Sequence, residues 1–445
     1  MSGIHPDLPP PLDDIARRTR RLDLAASVLT APTIAVIEMG GALAKKGFNA
    51  TDHQVALLTS GQSLGLMLSF FIVHLAARQR KLPLVVWPEV FRSIAFMLVG
   101  LLEMSMAMGF VILHGAAQMF QSMTVPARVT IYDHNYPPGV RGRIVGRNRQ
   151  VQLVIAVLVS LGLSAFLDGT MRLDSFLSAM GLVVQGSGDR LLQIVPLIGF
   201  LGLLGALLFT RVPVSEQNDP EGSRPRPVLA TLKAFFRVWW EDREFRRYEN
   251  FFFLFGFANI MTISLTQIHA VDQLGATYFD LAMINVAIVQ GLMALTMVQW
   301  GKLIDRYPPQ RLRGYINIIF AVDFLALAIA PNIHWVYAGR VFRGIALGGG
   351  TLIWMLGALY YARTPQNVPI YLGVHTVLTG LRWALAPFAG VWLKAVFMDD
   401  ARPVFFAVFL IVAITAVFMI RGSRHEAPRK PLDGPPMPAP RMTGA

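Results

Sequence analysis

The chain has 445 residues, of which 54% are hydrophobic and only 15% are charged. A soluble globular protein usually carries about 25% charged residues, so this composition excludes a surface that faces mostly water. The formal net charge of +13 comes from short basic clusters between apolar segments. Nucleic-acid-binding proteins instead carry a continuous basic patch or stripe, so we expect no nucleic-acid partner.

Apolar segments long enough to cross a membrane recur along the chain. A transmembrane helix needs about 20 such residues, and a lipid-exposed backbone must satisfy its own hydrogen bonds, which favours helices. The basic stretch before residue 24 is similar to the start of a signal peptide, but no cleavage site follows and we predict a retained helix. The clear candidates are residues 24–44, 55–77, 151–167, 191–210, 251–270, 281–300, 315–331, 336–361, 371–397 and 404–420.

Residues 82–131 form one apolar stretch without a strong turn signal. Fifty helical residues would span about 75 Å, which is too long for one membrane crossing and suits two. We predict the turn near Glu103 to Ser105. Two helices here place most basic loops on one side of the membrane, as the positive-inside rule requires. The sequence therefore predicts twelve transmembrane helices with both termini cytoplasmic.

Residues 211–250 form the one long polar segment within the membrane-embedded region. Its second part alternates aromatic residues with arginines, which is typical of a helix in the headgroup layer, although a calmodulin-target helix has a similar composition. We expect two pseudo-symmetric six-helix bundles in an all-α integral membrane fold. The predicted divisions are an N-terminal tail (1–21), a first bundle (22–211), a linker with an amphipathic helix (212–248), a second bundle (249–421) and a disordered tail (422–445).

The loop after the eighth predicted helix reads Gly301-Lys302-Leu303-Ile304-Asp305-Arg306, with Arg311 and Arg313 following. This segment resembles the cytoplasmic signature of the major facilitator superfamily, Gly-x-Leu-x-Asp-Arg/Lys-x-Gly-Arg/Lys-Arg/Lys. The match is partial, because residues 308–310 are Pro, Pro and Gln where the family has Gly and two basic residues. The resemblance extends over about residues 22–420 and implies two bundles that rock about a central cavity.

The resemblance also implies a cytoplasmic latch, in which an acidic residue at a helix end pairs with a neighbouring arginine in one conformation. Because Gly301 has no side chain, it would let two helices approach closely. We assign to this latch Gly301, Asp305, Arg306 and Arg311, together with Arg128, Asp133, Arg141 and Arg143 at the cytoplasmic end of the fourth helix.

Glu38 is the leading candidate for a coupling residue. It lies some fourteen residues into the first apolar segment, where a charge costs at least about 2.5–3.5 kcal/mol and is functional by default. A carboxyl group in such surroundings could carry a proton during transport. Alternatively, it could lie at the outer end of the helix and pair with Lys45 or Lys46.

Arg340 and Arg343 share one face of the tenth predicted helix. They could bind an anionic substrate or pair with Glu38 across the cavity, or extend to the outer headgroups. Arg382, near the middle of the eleventh helix, is a further candidate for substrate binding or counter-charge. Hydrogen bonds to carbonyl groups or a carboxylate within the bundle are the favoured alternative, because the resemblance does not place this helix at the cavity. The tenth helix also has Arg340-x-x-x-Gly344, which resembles a family motif in a cavity-lining helix. The spacing Gly344-x-x-x-Gly348 is alternatively typical of close helix packing.

The sequence lacks the motifs of several enzymatic and metal-binding functions. The chain has no cysteine, no ATP-binding Gly-x-x-x-x-Gly-Lys-Ser/Thr loop, and no histidine pair with metal-ligand spacing. We therefore expect no enzyme, cofactor or metal. The predicted function is a monomeric secondary transporter in the lipid bilayer, in a bacterial inner membrane, that moves a small organic solute with protons. The alternative is a non-transporting scaffold, such as an assembly or pigment-delivery factor with the same fold.

Overall fold

A computed structural model describes residues 13–76, 81–171, 186–214, 228–304, 306–362 and 367–423. The structured elements in these ranges are helices, and no strand occurs among them. The helices are α1 (Asp14–Ala42, continued by a π-helical turn, Leu43–Gly47), α2 (Asp52–Ala76), α3 (Pro83–Leu98, followed by a 3-10 turn, Val99–Leu101), α4 (Ala107–Asn135), α5 (Pro138–Leu167), α6 (Ser187–Phe209), α7 (Val228–Glu241), α8 (Arg243–Asp272), α9 (Tyr278–Ile304, with a π-helical turn at Met283–Ala287), α10 (Pro309–Ile329), α11 (Ile333–Tyr361), α12 (Val368–Val396) and α13 (Arg402–Gly422).

The ambiguous stretch at residues 82–131 contains two helices, as predicted. α3 and its 3-10 turn end at Leu101, and α4 begins at Ala107. Within the break, the Met106 backbone N–H donates to the Glu103 carbonyl oxygen at 2.8 Å, which closes a tight turn. The predicted turn at residues 103–105 is therefore confirmed.

Several helices extend beyond the predicted apolar segments. α1 begins at Asp14, where the Asp13 side chain caps the first turn by accepting a hydrogen bond from the Ala16 N–H. The predicted N-terminal tail is therefore helical from Asp14 onward. α5 begins at Pro138, thirteen residues before its predicted apolar start at residue 151. Hydropathy detects only the part of a helix that lies in hydrocarbon, so polar ends that continue the helix escape it.

Nine helices in the described part of the chain are long and apolar enough to cross a bilayer. α2, α4 and α11 are not among them, but they contain 25, 29 and 29 residues and are long enough to span. Each packs along its length against an apolar neighbour or against another of the three. The described chain thus has twelve membrane-length helices and one shorter helix, α7.

The helices form an N-terminal half (α1–α6) and a C-terminal half (α8–α13). The two halves meet mainly where α2 packs on α12 and where α5 packs on α9. These two pairs are equivalent under an exchange of the halves, as a pseudo-symmetric fold requires. The exact domain boundaries stay predictions, and the tail from residue 424 onward lies outside the described residues.

Glycines allow close helix approach in both halves. A Cβ atom at Gly61 would lie 2.7 Å from the Gly115 Cα atom, so α2 and α4 nearly touch there. In the C-terminal half, Gly344 and Gly348 face α9, where a Cβ atom at Gly344 would lie 2.8 Å from the Leu292 Cβ atom. The packing interpretation of the Gly344-x-x-x-Gly348 motif is confirmed.

Part of the predicted linker forms one helix, α7. α7 packs on α8 and α12, with the buried Phe235 ring against Gly373. On its other face, Phe236 and Trp240 are 74% and 77% exposed. The position of this helix in the headgroup layer stays a prediction.

Candidate functional site

Glu38 lies on α1 between the two halves and is half-buried. Its carboxylate interacts with the guanidinium group of Arg149 from α5 and with the side-chain amide of Gln290 from α9. The carboxylate therefore contacts both halves of the molecule. The predicted alternative, pairing with Lys45 or Lys46, is not what the structure shows, because both lysines bind other groups.

Arg149 is held in place from its own helix. Its Nη1 atom donates to Gln152 Oε1 at 2.6 Å, and Gln152 Nε2 donates to Thr30 Oγ1 on α1 at 3.3 Å. Arg149 is exposed and interacts with Glu38 on α1. Arg149 precedes the predicted apolar segment at residues 151–167 but lies within α5, because this helix begins at Pro138.

This arrangement can carry a proton. Arginine stays protonated throughout the accessible pH range, whereas a carboxyl group can gain or lose a proton. The Glu38–Arg149 pair is neutral when Glu38 is ionised and carries one positive charge when Glu38 is protonated. We refer to Glu38, Arg149 and Gln290 as the central cluster.

His114 packs directly against α1 near the central cluster. Its side chain is fully buried, and its Nε2 atom lies 3.3 Å from the carbonyl oxygen of Ile37. The imidazole occupies the space that a side chain at Gly40 would need. Sequence reasoning missed this histidine, because a single histidine in an apolar segment gives no signal about its partner.

Two buried carboxylates of the N-terminal half bind partners within that half. Asp23 on α1 accepts hydrogen bonds from the Tyr132 hydroxyl at 2.8 Å and from Asn148 Nδ2 at 2.6 Å. Glu89 on α3 forms ion pairs with Arg92 and, at 3.1 Å, with Arg128. Arg128, which the sequence assigned to the latch, thus pairs inside its own half.

Other predicted latch residues also bind only within their own half. Asp133 and Arg141 form an ion pair within the N-terminal half. Arg311 donates to the Tyr315 hydroxyl at 3.4 Å in the C-terminal half. Arg143 and Arg306 are exposed, and Asp305 lies outside the described residues.

Gly301 has no atom within 4 Å of the position of a Cβ atom, so no close helix approach occurs there. The expectation that this glycine allows helix contact is not met in this conformation. Among the described latch residues, no contact joins the two halves.

Arg340 and Arg343 bind the same carboxylate on the neighbouring helix α10. Arg340 Nη2 lies 2.8 Å from Asp323 Oδ1, and Arg343 Nη1 lies 3.2 Å from Asp323 Oδ2. The Asp323 side chain has no exposed surface. The possible pairing of these arginines with Glu38 is therefore wrong, and they do not extend to the outer headgroups.

Arg382 is buried and bound within the C-terminal half. Its Nη1 atom donates to the Phe252 carbonyl oxygen, and its Nη2 atom donates to Thr379 Oγ1, both at 2.6 Å. The guanidinium group also lies 5.0 Å from the centre of the Phe252 ring. These contacts agree with hydrogen bonding to carbonyl groups within the bundle. Nearby, Glu249 Oε1 and His375 Nδ1 lie 2.8 Å apart.

Four charged residues join the halves at the end of the molecule where α1 stops and α2 begins. Lys45 lies 2.8 Å from both Asp52 and Asp272, and Lys394 lies 2.7 Å from Asp52. Lys45 and Asp52 belong to the N-terminal half, and Asp272 and Lys394 to the C-terminal half. We call these residues the four-charge cluster. Among the described residues, every ion pair between the halves belongs to it.

A second contact closes the same end. Asp168, at the C-terminal end of α5, accepts hydrogen bonds from the backbone N–H groups of Tyr278 at 3.0 Å and Phe279 at 2.8 Å. These groups form the first turn of α9, where unpaired N–H groups and the helix dipole favour a carboxylate. Lys46 adds a 2.8 Å hydrogen bond to the Ala276 carbonyl oxygen. Contacts between the two halves therefore hold this end of the molecule together.

Comparison with known proteins supports the fold. A sequence model of the Major Facilitator Superfamily matches residues 23–387. Among solved structures, the chain is similar to a bacterial homolog of the human lysosomal transporter Spinster in an inward-facing, unoccupied conformation, with a TM-score of 0.68, 18% identity, and coverage of 93% of this chain and 98% of that chain. It is also similar to the xylose transporter XylE from E. coli, with a TM-score of 0.63, 13% identity, and coverage of 92% and 98%.

The nucleoside transporter NupG is a further structural neighbour, with a TM-score of 0.65, 10% identity, and coverage of 92% of this chain and 99% of that chain. No curated protein sequence matches the chain. At these identities the structural neighbours establish the fold alone.

Proposed function

Because the chain belongs to the major facilitator superfamily, we propose that it moves a small organic solute by alternating access and couples this movement to protons through Glu38. Membership of this family supports a secondary transporter rather than an enzyme. The observation that carries the coupling proposal is the central cluster, in which a titratable carboxylate on α1 contacts both halves.

The coupling step follows from the charges of the central cluster. Protonation of Glu38 removes its attraction for Arg149, which leaves the guanidinium free to bind another acceptor. The same protonation alters the interaction of Glu38 with Gln290, which joins the two halves, and allows them to rearrange. In this scheme, Glu38 carries the proton, and Arg149 and Gln290 respond to its charge state.

The solute class is proposed from the residues around the central cluster and from the structural neighbours. Arg340 and Arg343 are neutralised in part by Asp323, and Arg382 is bound by Thr379 and a carbonyl group, so we no longer assign these arginines to substrate. Solved neighbours include a D-xylose–proton symporter and a nucleoside transporter. We propose a small polar solute whose hydrogen-bonding groups contact Arg149 and Gln290.

We further propose that both termini are cytoplasmic and that the four-charge cluster lies at the outer face of a bacterial inner membrane. The position of the basic clusters between the apolar segments supports this orientation. The conformation is then closed to the outside. The latch formed by Asp305, Arg306 and Arg311 is proposed to join the halves in the opposite conformation.

The experiment begins with a ligand that stabilises the protein. A thermal-shift screen of the purified protein against a metabolite library, with D-xylose and uridine included, selects a solute that binds the folded state. The selected solute is then used in proteoliposomes with and without a pH gradient. We expect the gradient to accelerate flux of the wild type and to have no effect on Glu38→Gln, which should still exchange solute across a membrane without a gradient.

Glu103→Gln provides a matched control, because Glu103 is an exposed carboxylate in the turn between α3 and α4. This variant should respond to the gradient as the wild type does. Full gradient-driven flux in Glu38→Gln would remove Glu38 from the coupling step. Absence of flux for every stabilising solute, together with a stoichiometric partner or pigment in the purified protein, would instead favour the scaffold alternative.

A further inference from the structure

A basic cleft lies at the start of α1, at the opposite end of the molecule from the four-charge cluster. α1 begins ten residues before the apolar part of its sequence, and the chain leaves α6 beside it. The cleft has a volume of about 750 Å³ and is lined by Asp14, Arg17, Arg18, Arg21, Leu22 and Arg211. None of these residues has a role in the proposed transport cycle.

The cleft is built on a fixed framework. On the opposite face of α1, Thr19 accepts a 2.9 Å hydrogen bond from Asn135 Nδ2 on α4. The same Asn135 atom donates to the Pro213 carbonyl oxygen at 2.6 Å, and Val212 is 3% exposed within an apolar cluster. These contacts fix both α1 and the segment that carries Arg211. The arginines therefore face one another across a defined space.

The cleft has an excess of positive charge. Asp14 forms a 2.7 Å ion pair with Arg17. Within the described ranges, no carboxylate forms an ion pair with Arg18, Arg21 or Arg211. All four arginine side chains are exposed, so their donors are available to a ligand. An excess of three guanidinium groups around one cleft fits an anion with several acceptor oxygens.

We propose that this cleft binds a phosphate group, either that of an anionic phospholipid headgroup or that of a small soluble phosphate compound. The planar fork of arginine matches phosphate oxygens in a bidentate geometry. The cleft immediately precedes the apolar segment that begins at Leu24, so it lies at headgroup level, where basic residues attract anionic lipids. Leu22 in its lining offers an apolar contact for the first part of an acyl chain. The site is independent of substrate and coupling.

The test uses the purified full-length chain, freed of lipid in a neutral detergent. Binding of dioctanoyl phosphatidylglycerol, dioctanoyl phosphatidylcholine and inorganic phosphate is measured by calorimetry. We expect the anionic lipid to bind and the zwitterionic lipid to bind at least about tenfold more weakly. Since each basic residue near a surface contributes about a fivefold change in affinity for anionic lipid, Arg18→Gln combined with Arg211→Gln should weaken binding about 30-fold.

A matched control removes two exposed arginines elsewhere at the same end of the molecule, by Arg243→Gln combined with Arg421→Gln. This control should bind as the wild type does. Arg18→Lys combined with Arg211→Lys keeps the charge but loses the bidentate fork, so it should bind more weakly than the wild type and more tightly than the glutamine variant. This variant tests the site if the glutamine variant does not fold.

Competition between inorganic phosphate and the anionic lipid distinguishes the two possible sources of the phosphate group. Inorganic phosphate that displaces the lipid at a 1:1 ratio would identify a site for soluble phosphate compounds, and lipid binding unaffected by phosphate would identify a headgroup site. Both outcomes support the proposal. The proposal would be overturned if neither the anionic lipid nor inorganic phosphate bound. It would also be overturned if the Arg18/Arg211 and Arg243/Arg421 glutamine variants lost the same amount of affinity.

Discussion

Arg149 connects a titratable carboxylate to the framework of the N-terminal half. It interacts with Glu38 and donates a 2.6 Å hydrogen bond to Gln152, which in turn binds Thr30 on α1. Glu38 is therefore linked to the N-terminal half through this permanent cation and to the C-terminal half through Gln290. The role of Arg149 can be separated from that of Glu38, because arginine itself does not titrate.

Arg149→Gln is expected to lower gradient-driven flux about 10- to 100-fold, since a hydrogen bond to a charged group contributes about 1.5–3 kcal/mol. Arg149→Lys keeps the charge and should retain part of the flux. The measurement is the initial rate in proteoliposomes, with Arg147→Gln, an exposed arginine on the same helix, as the control. Equal rates for Arg149→Gln and Arg147→Gln would show that Arg149 is not part of the cycle.

Asp323 is the shared partner of two buried arginines in the C-terminal half. Removing one member of a buried ion pair leaves an uncompensated charge and typically costs about 3–5 kcal/mol. Asp323→Asn should therefore lower the thermal unfolding midpoint of the detergent-purified protein strongly. Asp399→Asn, at a side chain that is 80% exposed, should leave the midpoint nearly unchanged. Similar midpoints for both variants would contradict the structural role of Asp323.

The sequence predicts the Glu38–Arg149 interaction and the Asp323–Arg340 ion pair to different extents. Glu38 could be singled out, because a carboxylate in an apolar segment is rare and expensive. Its partner Arg149 could not, because nothing in the sequence reveals that a basic helix end continues into the space between the halves. Asp323 could have been paired with Arg340, since the two lie eight residues before and nine residues after Pro331. An antiparallel helix pair that turns there places them at the same depth.

At the scale of helices, the sequence predicts existence better than boundaries. Every apolar segment corresponds to a helix, and the break before Ala107 is correctly placed. The starts of α1 and α5 are misplaced because Asp13 and Pro138 favour helix initiation in polar sequence. Hydropathy contains no information about such polar turns.

Contacts between helices depend on small residues that sequence analysis recognised only in α11. On α2, the equivalent pair is Gly61 and Gly65, four residues apart on the face that packs on α4. A Cβ atom at Gly65 would clash with the Met119 carbonyl oxygen, which belongs to the backbone and cannot rotate away. The spacing alone does not identify this contact, because glycines with the same spacing also face open space.

Gly65→Ala should therefore destabilise the protein by about 1–3 kcal/mol, the usual range for overpacking a close contact. The readout is the thermal unfolding midpoint in detergent. Gly291→Ala on α9 is the matched control, because no atom lies within 4 Å of its added Cβ and alanine favours a helix. A midpoint for Gly65→Ala equal to that for Gly291→Ala would contradict the close approach of α2 and α4.

At the scale of the molecule, two halves surround Glu38 and are fastened together at one end. The four-charge cluster and the Asp168 contact with α9 close that end. Sequence analysis predicted a cytoplasmic latch, and its residues lie at the opposite end of the molecule. The described members of that latch do not join the halves here, as expected if the two ends close in different conformations.

The proposed alternating access requires that the space around Glu38 opens to one side of the membrane at a time. The chain lacks cysteine, so a single Gln290→Cys reports on this space through a membrane-impermeant thiol reagent. Val298→Cys is the control, because Val298 lies on the same helix and is 59% exposed on a membrane-spanning surface, where lipid should prevent the reaction. Reaction is measured separately in right-side-out and inside-out vesicles.

We predict that Gln290→Cys reacts from the cytoplasmic side. Adding Lys45→Gln and Lys394→Gln removes the Lys45–Asp272 and Lys394–Asp52 ion pairs, and Gln290→Cys should then react from the outer side as well. Reaction from neither side, or from the outer side alone with the four-charge cluster intact, would contradict a central passage that is closed at that end.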